Sequence, residues 1–245
     1  MNALRRTALF AAPVLLMVAA WPVLAQAATT GSGRTLTETR SVAEFQAITV
    51  AGSMDVVVRQ GAQQLQVQAD DNLLPLLETT VEATQQGATL VVRWKRGEGI
   101  RMSRSKVLLT ISVPKLTALV ASGSGDFQVE AFTTPALLVS LSGSGDAKLN
   151  GLSTENLNIR IAGSGDVSGS GSATRLTVNI AGSGDVKLAD LRADDVDLQI
   201  AGSGNALVNA QKTLNVRIAG SGDVTYVGNA TLKSKVAGSG SVTRR

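Results

Sequence analysis

The chain lacks both cysteine and histidine, and aromatic residues make up only 3% of its 245 residues. Without cysteine the fold cannot use disulfide bonds, so it depends on its core and on backbone hydrogen bonds. The absence of histidine removes the commonest general base, the usual serine-protease arrangement and histidine-ligated zinc. The scarcity of aromatic side chains argues against surfaces that stack nucleic-acid bases. We therefore predict a non-enzymatic protein with no nucleic-acid partner.

The first 27 residues have the pattern of a signal peptide. Arg5 and Arg6 precede an apolar stretch that ends at Leu24, and Ala25-Gln26-Ala27 fits a small-residue cleavage site. We predict export, cleavage after Ala27 and a periplasmic or extracellular location, with no stable membrane insertion afterwards. An uncleaved membrane anchor is the alternative.

The charge of the chain does not point to a class of partner. The formal net charge is +4, from 23 basic and 19 acidic residues, and loss of the two N-terminal arginines lowers it to +2. A charge this small says little about binding to nucleic acid or membranes. Residues 28–41, which follow the predicted cleavage site, are expected to form a flexible linker.

A tetrapeptide, Gly-Ser-Gly-Asp, recurs through the second half of the chain at intervals of 18 to 20 residues. Its copies begin at Gly123, Gly143, Gly163, Gly182 and Gly220, with Gly-Ser-Gly-Asn at Gly202 and Gly-Ser-Gly-Ser at Gly238. A period this short leaves room for one small unit per repeat. Such units must stack on one another to bury a core.

The residues around each tetrapeptide alternate between apolar and polar. Before the third copy, Leu157, Ile159 and Ile161 alternate with polar residues, which indicates a half-buried strand. Continuing the alternation places both glycines of each copy on the inward side, where they allow a sharp bend over a narrow core. The predicted bend glycines are Gly123, Gly125, Gly143, Gly145, Gly163, Gly165, Gly182, Gly184, Gly202, Gly204, Gly220 and Gly222.

Each unit is thus a strand, a glycine bend, a second strand and a variable return turn such as Asn150 to Asn156. About 20 residues of this kind make one coil of a narrow, single-stranded parallel β-helix. With about 4.8 Å between coils, seven copies span about 29 Å. An up-and-down barrel or sandwich is the alternative, although it would not place one motif always on the same side.

Residues 42–115 are less regular, and residues 116–245 carry the repeat coils. The segment from Ile48 to Val58 predicts an early coil, and Asp71 to Glu78 a short helix. Strands are predicted at Thr89 to Trp94 and at Lys106 to Val113. This part is expected to close the N-terminal end of the stack, because open sheet edges invite aggregation. The basic loop between those strands is read as a solvated connection, with contact to anionic lipid or glycan as the alternative.

Three features resemble the head GIN domain family of auto-transporter adhesins. They are the opening segment from Phe45 to Val56, the central Val113-Pro114-Lys115-Leu116, and the run of Gly-Ser-Gly-Asp bends. The resemblance covers residues 42–245. It implies a single-stranded right-handed β-helix in a bacterial envelope or secreted protein. Because the biochemical role of the family is unassigned, it implies no catalytic or binding residues.

In-register coils would align the acidic residues of the bends into a column. The candidates are Asp126, Asp146, Asp166 and Asp185, continued by Asn205 and Asp223, beside a column formed by Ser124, Ser144, Ser164, Ser183, Ser203 and Ser221. Carboxylates about 5 Å apart repel by roughly 0.8 kcal/mol in water and about 3 kcal/mol at an effective dielectric constant of about 20. Hydrogen bonds from bend amides or serines would offset this repulsion. The alternative is Ca²⁺ bridging between carboxylates, the one cofactor considered.

The sequence therefore predicts an exported, adhesin-like module for binding or scaffolding. Its regular polar faces suit an extended polymer such as a polysaccharide, or another envelope protein. Two alternatives remain open. One is a calcium-dependent carbohydrate-active enzyme, since paired carboxylates can cleave glycosides. The other is a structural module that self-associates through an uncapped coil end.

Overall fold

The fold is a β-solenoid of about six turns with coils of about 20 residues, which confirms the predicted parallel β-helix architecture. The computed structural model describes residues 28–102 and 106–245. The predicted signal peptide, residues 1–27, lies outside the described residues. Within them, no helix is long and apolar enough to cross a lipid bilayer.

The repeat region is built from parallel strands that stack in register. Its strands are β10 (Ala118–Gly123), β11 (Phe127–Val129), β12 (Phe132–Gly143), β13 (Ala147–Gly163), β14 (Val167–Gly182), β15 (Val186–Gly202), β16 (Ala206–Gly220), β17 (Val224–Val227), β18 (Thr231–Gly238) and β19 (Val242–Arg244). Equivalent residues of successive coils are paired, so that Ile159 lies beside Val178 and Val178 beside Leu198. These inward side chains are almost fully buried and form one continuous core.

Each coil has three faces. The first face carries residues 157–163 and their equivalents, the second carries residues 167–169, and the third carries residues 171–174. The third face differs from the predicted return turn, because Leu152 and Thr154 point inward and pair with the next coil. A shift of register between Leu149 and Leu152 separates this short strand segment from the second face.

The N-terminal part adds two layers to the stack. Strands β3 (Ala47–Ala51) and β4 (Met54–Gln60) form the predicted early coil. Strands β7 (Gly87–Trp94) and β9 (Val107–Val113), both predicted, lie on its other side. Thus Ile48 pairs with Leu119 of the repeat region and with Leu90 of β7. The early coil is therefore enclosed between two layers that both follow it in sequence.

Antiparallel strands close this end of the solenoid. Strand β6 (Leu77–Thr84) pairs with β7, β5 (Gln64–Asp70) with β9, and β2 (Thr35–Arg40) with β5. The Arg40 guanidinium reaches across the end and donates to the carbonyl oxygens of Leu77 at 2.5 Å and Leu74 at 2.7 Å. Residues 28–41, expected to be a linker, thus contribute a strand, which is held by backbone pairing and not by a buried apolar face.

Two smaller elements complete the N-terminal part. Strand β1 (Thr29–Thr30) pairs in parallel with β8 (Ile100–Arg101). Where a short helix was predicted around Pro75, the structure has a single 3-10 turn, Leu74–Leu76. Its proline lies in the first turn, where the missing N–H removes no helical hydrogen bond.

The C-terminal end is more open. Strands β18 and β19 pair with β16 and β17, and no described strand pairs with their outer edges. Val236, at an inward position of this last coil, is 39% exposed. Residues 224–245 contain four basic residues and no acidic residue. Charge of this kind discourages edge-to-edge association.

Candidate functional site

The bend glycines allow the backbones of successive coils to approach closely. A Cβ atom at Gly165 would lie 2.1 Å from the carbonyl oxygen of Gly145, and one at Gly163 would lie 2.2 Å from that of Gly143. Gly163 also has a φ of +144°, in a region that side chains disfavour. The collision is therefore chiefly with the backbone of the preceding coil.

The four predicted aspartates do form one column, and each accepts a hydrogen bond from the next coil. Oδ1 of Asp146 accepts from the backbone N–H of Asp166 at 2.8 Å, and Oδ1 of Asp166 accepts from that of Asp185 at 2.9 Å. Asp126 and Asp185 accept in the same way. This ladder matches the hydrogen-bonded interpretation of the column. The ladder provides hydrogen-bond acceptors for backbone N–H groups that have no strand partner at the bend.

The ladder continues at both ends of these four residues. Oδ1 of Asp55 accepts from the N–H of Asp126 at 3.1 Å, and Oδ1 of Asp223 accepts from the N–H of Ser241 at 2.8 Å. Asp55 was missed as a member of the column, although it follows Gly52-Ser53-Met54 at the same position as the other aspartates. Because Met54 replaces the second glycine there, the tetrapeptide pattern is hidden.

Lysine side chains neutralise part of the column. Nζ of Lys187 lies 2.7 Å from Oδ2 of Asp166 and 3.9 Å from Oδ2 of Asp185, and Nζ of Lys106 lies 3.0 Å from Oδ2 of Asp55. Burial acts to raise the pKa of Asp166, but hydrogen bonds from Lys187 and from the Asp185 amide outweigh it, so the pKa is lowered. The hydrogen bond to Asp166 raises the pKa of Lys187. The Asp166 carboxylate is therefore held in its charged form.

The geometry of the column is poorly suited to a metal ion. One oxygen of each of the four candidate carboxylates already accepts a backbone amide, and Lys187 occupies the other oxygen of Asp166. The described part of the chain contains no group of three or more acidic, histidine or cysteine side chains placed to hold a metal ion. Ca²⁺ binding by Asp126, Asp146, Asp166 and Asp185 stays an untested prediction.

A groove with polar walls runs along the third face. It has a volume of about 550 Å³. Its outward residues Thr133, Ser153, Ser172 and Arg192 occupy equivalent positions in successive coils, and Glu155 and Asp194 also line it. We call this the polar groove. It presents hydroxyl and charged groups at the coil spacing of about 4.8 Å.

A second groove, with a volume of about 590 Å³, lies on the first face. Its floor is a row of outward alanines: Ala162, Ala181, Ala201, Ala219 and Ala237. Its rim is a row of longer side chains: Arg160, Asn179, Gln199, Arg217 and Lys235. We call this the alanine groove. Sequence reasoning missed it, although alanine precedes the Gly-Ser-Gly of five copies.

Two crystal structures resemble this fold over most of the chain. A protein from Bacteroides fragilis, described as a putative adhesin, is 25% identical with a TM-score of 0.83, and the match covers 89% of this chain and 100% of that one. A protein from Parabacteroides distasonis, described as a putative lipid binding protein, is 27% identical with a TM-score of 0.73, with the same coverage.

A third crystal structure, of a putative adhesin from Parabacteroides merdae, supports the fold alone. It is 22% identical with a TM-score of 0.69, and the match covers 89% of this chain and 98% of that one. No curated protein matches the chain. The family model described as "Putative auto-transporter adhesin, head GIN domain" matches residues 44–230, and the chain therefore belongs to this family.

Proposed function

We propose that the protein is an exported, non-enzymatic, adhesin-like module that binds an extended envelope polymer, preferably a polysaccharide, in the polar groove. The observation that carries this proposal is the in-register row of Thr133, Ser153, Ser172 and Arg192. A row that repeats with every coil is complementary to a ligand that itself repeats. The adhesin-like family supports an envelope role.

The arrangement of the acidic residues supports binding over catalysis. A glycosidase needs one carboxyl group free to donate a proton and another free to attack or to activate water. In the aspartate column, one oxygen of each of the four candidate carboxylates accepts a hydrogen bond from a backbone amide of the next coil. These side chains thus serve the stacking of the coils.

The test is retention of the purified protein on a panel of immobilised polysaccharides and envelope fractions, with and without EDTA. We expect retention on one polymer class and a loss of at least tenfold in the double variant Ser153→Tyr/Ser172→Tyr, which fills the polar groove. Ser164→Tyr, an equally exposed change on the bend, is the control. Equal retention of all three proteins would contradict the proposal, and loss with EDTA would favour the calcium alternative.

Export is tested separately, by fractionating cells that express the whole chain. We expect the protein in the periplasm, at the surface or in the medium, with Ala28 as its first residue. A protein that stays in the cytoplasm with its N-terminus intact would contradict the proposed location.

Lipid is a second candidate ligand. The apolar floor of the alanine groove favours it, and one structural relative is described as a putative lipid binding protein. The polar and alanine grooves lie on different faces of the coils. Their ligands can therefore be tested independently.

A further inference from the structure

The floor of the alanine groove exposes chiefly the methyl groups of the alanine side chains. The alanines are paired with one another from coil to coil, so that Ala162 lies beside Ala181 and Ala219 beside Ala237. Their backbone N–H and C=O groups are used in this ladder. A polar ligand on the floor would lose its hydrogen bonds to water and gain none in exchange. The floor therefore selects for an apolar chain.

The rim of the same groove is cationic at both ends. Arg160 lies near one end, and Arg217 and Lys235 lie side by side near the other. In the described part of the chain, none of these three side chains has a hydrogen bond or ion pair to a protein group. Asn179 and Gln199, between them, are neutral.

The acidic residue of the first face, Asp197, and Asp195 just before that face are engaged elsewhere. Oδ1 of Asp195 accepts from Oγ1 of Thr213 at 2.7 Å, and Oδ1 of Asp197 accepts from Nδ2 of Asn215 at 2.9 Å. Neither carboxylate is bonded to Arg217 or Lys235. The paired cations are therefore available to an anion from outside the protein, which a guanidinium and an ammonium group bind through charge-assisted hydrogen bonds.

The two features run side by side along the axis of the solenoid, because each rim residue lies two positions before an alanine of the floor. The five alanines span four coil steps, or about 19 Å. A straight apolar floor of this length suits one extended hydrocarbon chain, and the neighbouring Arg217 and Lys235 suit one anionic group at its end. Sugar rings fit this floor less well, because no aromatic side chain lines the groove.

We infer that the alanine groove binds a long-chain fatty acid, with its hydrocarbon chain along the alanines and its carboxylate between Arg217 and Lys235. This inference rests on lipid binding, the second candidate function, and assigns to it a site and a class of ligand. It is independent of polymer binding in the polar groove.

The probe is cis-parinaric acid, a fluorescent fatty acid, added to the purified protein below its micellar concentration and displaced by palmitate. We expect saturable binding that Arg217→Gln/Lys235→Gln weakens at least tenfold. The matched control, Lys115→Gln/Lys148→Gln, removes the same charge from two exposed residues outside both grooves and should bind as the parent protein does. Equal weakening by both double variants would overturn the inference, because it would show general attraction to positive charge.

A second pair of variants tests the floor. Ala201→Trp points outward into the groove and should abolish binding, whereas Ser164→Trp, on the exposed bend, should not. Hexadecanol, which has the chain without the carboxylate, should displace the probe at least tenfold less well than palmitate does. Binding that survives Ala201→Trp would overturn the inference.

Vesicles separate this inference from lipid binding in general. If the protein binds vesicles of phosphatidylglycerol but no monomeric fatty acid, lipid binding stands and the groove assignment fails. If it binds neither the fatty acid nor vesicles of phosphatidylglycerol or phosphatidylcholine, both fail. Monomer binding with the variant pattern above supports both.

Discussion

Replacement of Gly165 by alanine tests whether the glycines are required by the contact between coils. The new Cβ atom would lie 2.1 Å from the carbonyl oxygen of Gly145, whereas approaches under 3.0 Å essentially do not occur. The two coils must therefore separate locally by roughly 0.9 Å, the difference between these distances. Coil-to-coil hydrogen bonds at the bend cannot follow such a movement.

Three hydrogen bonds at this bend would be stretched. The N–H of Ser164 donates to the oxygen of Gly143 at 2.9 Å, and the N–H of Ala147 to that of Asp166 at 2.8 Å. The third runs from the N–H of Asp166 to Oδ1 of Asp146, also at 2.8 Å. Each of these hydrogen bonds contributes about 1 kcal/mol of net stability, so Gly165→Ala should lower the free energy of unfolding by about 3 kcal/mol.

Two further glycines separate collision from backbone strain. Gly33 has a φ of +78° with nothing within 4 Å of the new Cβ, so Gly33→Ala should cost only the strain of about 1 kcal/mol. Gly163 combines a positive φ with a contact of 2.2 Å, and its replacement should cost about 4 kcal/mol, from strain and collision together.

The assay is urea unfolding of the whole protein, followed by circular dichroism, with the midpoint and slope reported for each variant. The expected order of destabilisation is Gly163→Ala, then Gly165→Ala, then Gly33→Ala. If Gly165→Ala costs no more than Gly33→Ala, the coils relax without breaking hydrogen bonds, and the reasoning is refuted.

Substitutions at three other residues test the ladder and the closed end. Asp166→Asn should cost only the ion pair with Lys187 in urea unfolding, because Asn205 already fills the equivalent position and accepts the N–H of Asp223 at 3.0 Å, whereas Asp166→Ala should cost about 1 kcal/mol more; equal costs would argue against the ladder. Lys187→Met should lower the urea midpoint at pH 7. Folding lowers the pKa of Asp166, so the ion pair with Lys187 stabilises the protein fully at pH values above the unfolded pKa of about 3.9. This stabilisation is lost as the pH falls through the lower, folded pKa. The difference in midpoint between Lys187→Met and the parent should therefore vanish in strong acid. Arg40→Met should cost about 2 to 3 kcal/mol in urea unfolding, because it leaves the Leu74 and Leu77 carbonyls without their donor; an unchanged midpoint would show that water replaces the guanidinium.

The sequence predicts the repeat coils well because one alternation of inward and outward residues continues from each strand into the following bend. The alternation of Leu157, Ile159 and Ile161, followed by Gly163 and Gly165, specifies which side of each strand is buried and where the chain turns. Stacking of identical units then places the four aspartates in one column. Their hydrogen bonds follow from that placement, since each bend presents an amide to the carboxylate of the coil before it.

The remaining features depend on contacts between segments that are distant in sequence. The third face is hidden by the register shift between Leu149 and Leu152, which interrupts the period of two. Strand β2 carries no buried apolar row, and Leu36 is 53% exposed, so only its pairing with β5 reveals it. The alanine groove becomes visible only when residues about 20 positions apart are laid side by side.

The identical pairing of one coil with the next has a consequence for how such proteins can change in evolution. Duplication or loss of one repeat unit adds or removes a single layer, while the antiparallel strands at one end and the basic coil at the other keep their own contacts. Each such event changes the length of both grooves by about 4.8 Å. A gene of this type can therefore adjust the length of the ligand it accommodates in discrete increments, without redesign of a core or of a binding residue.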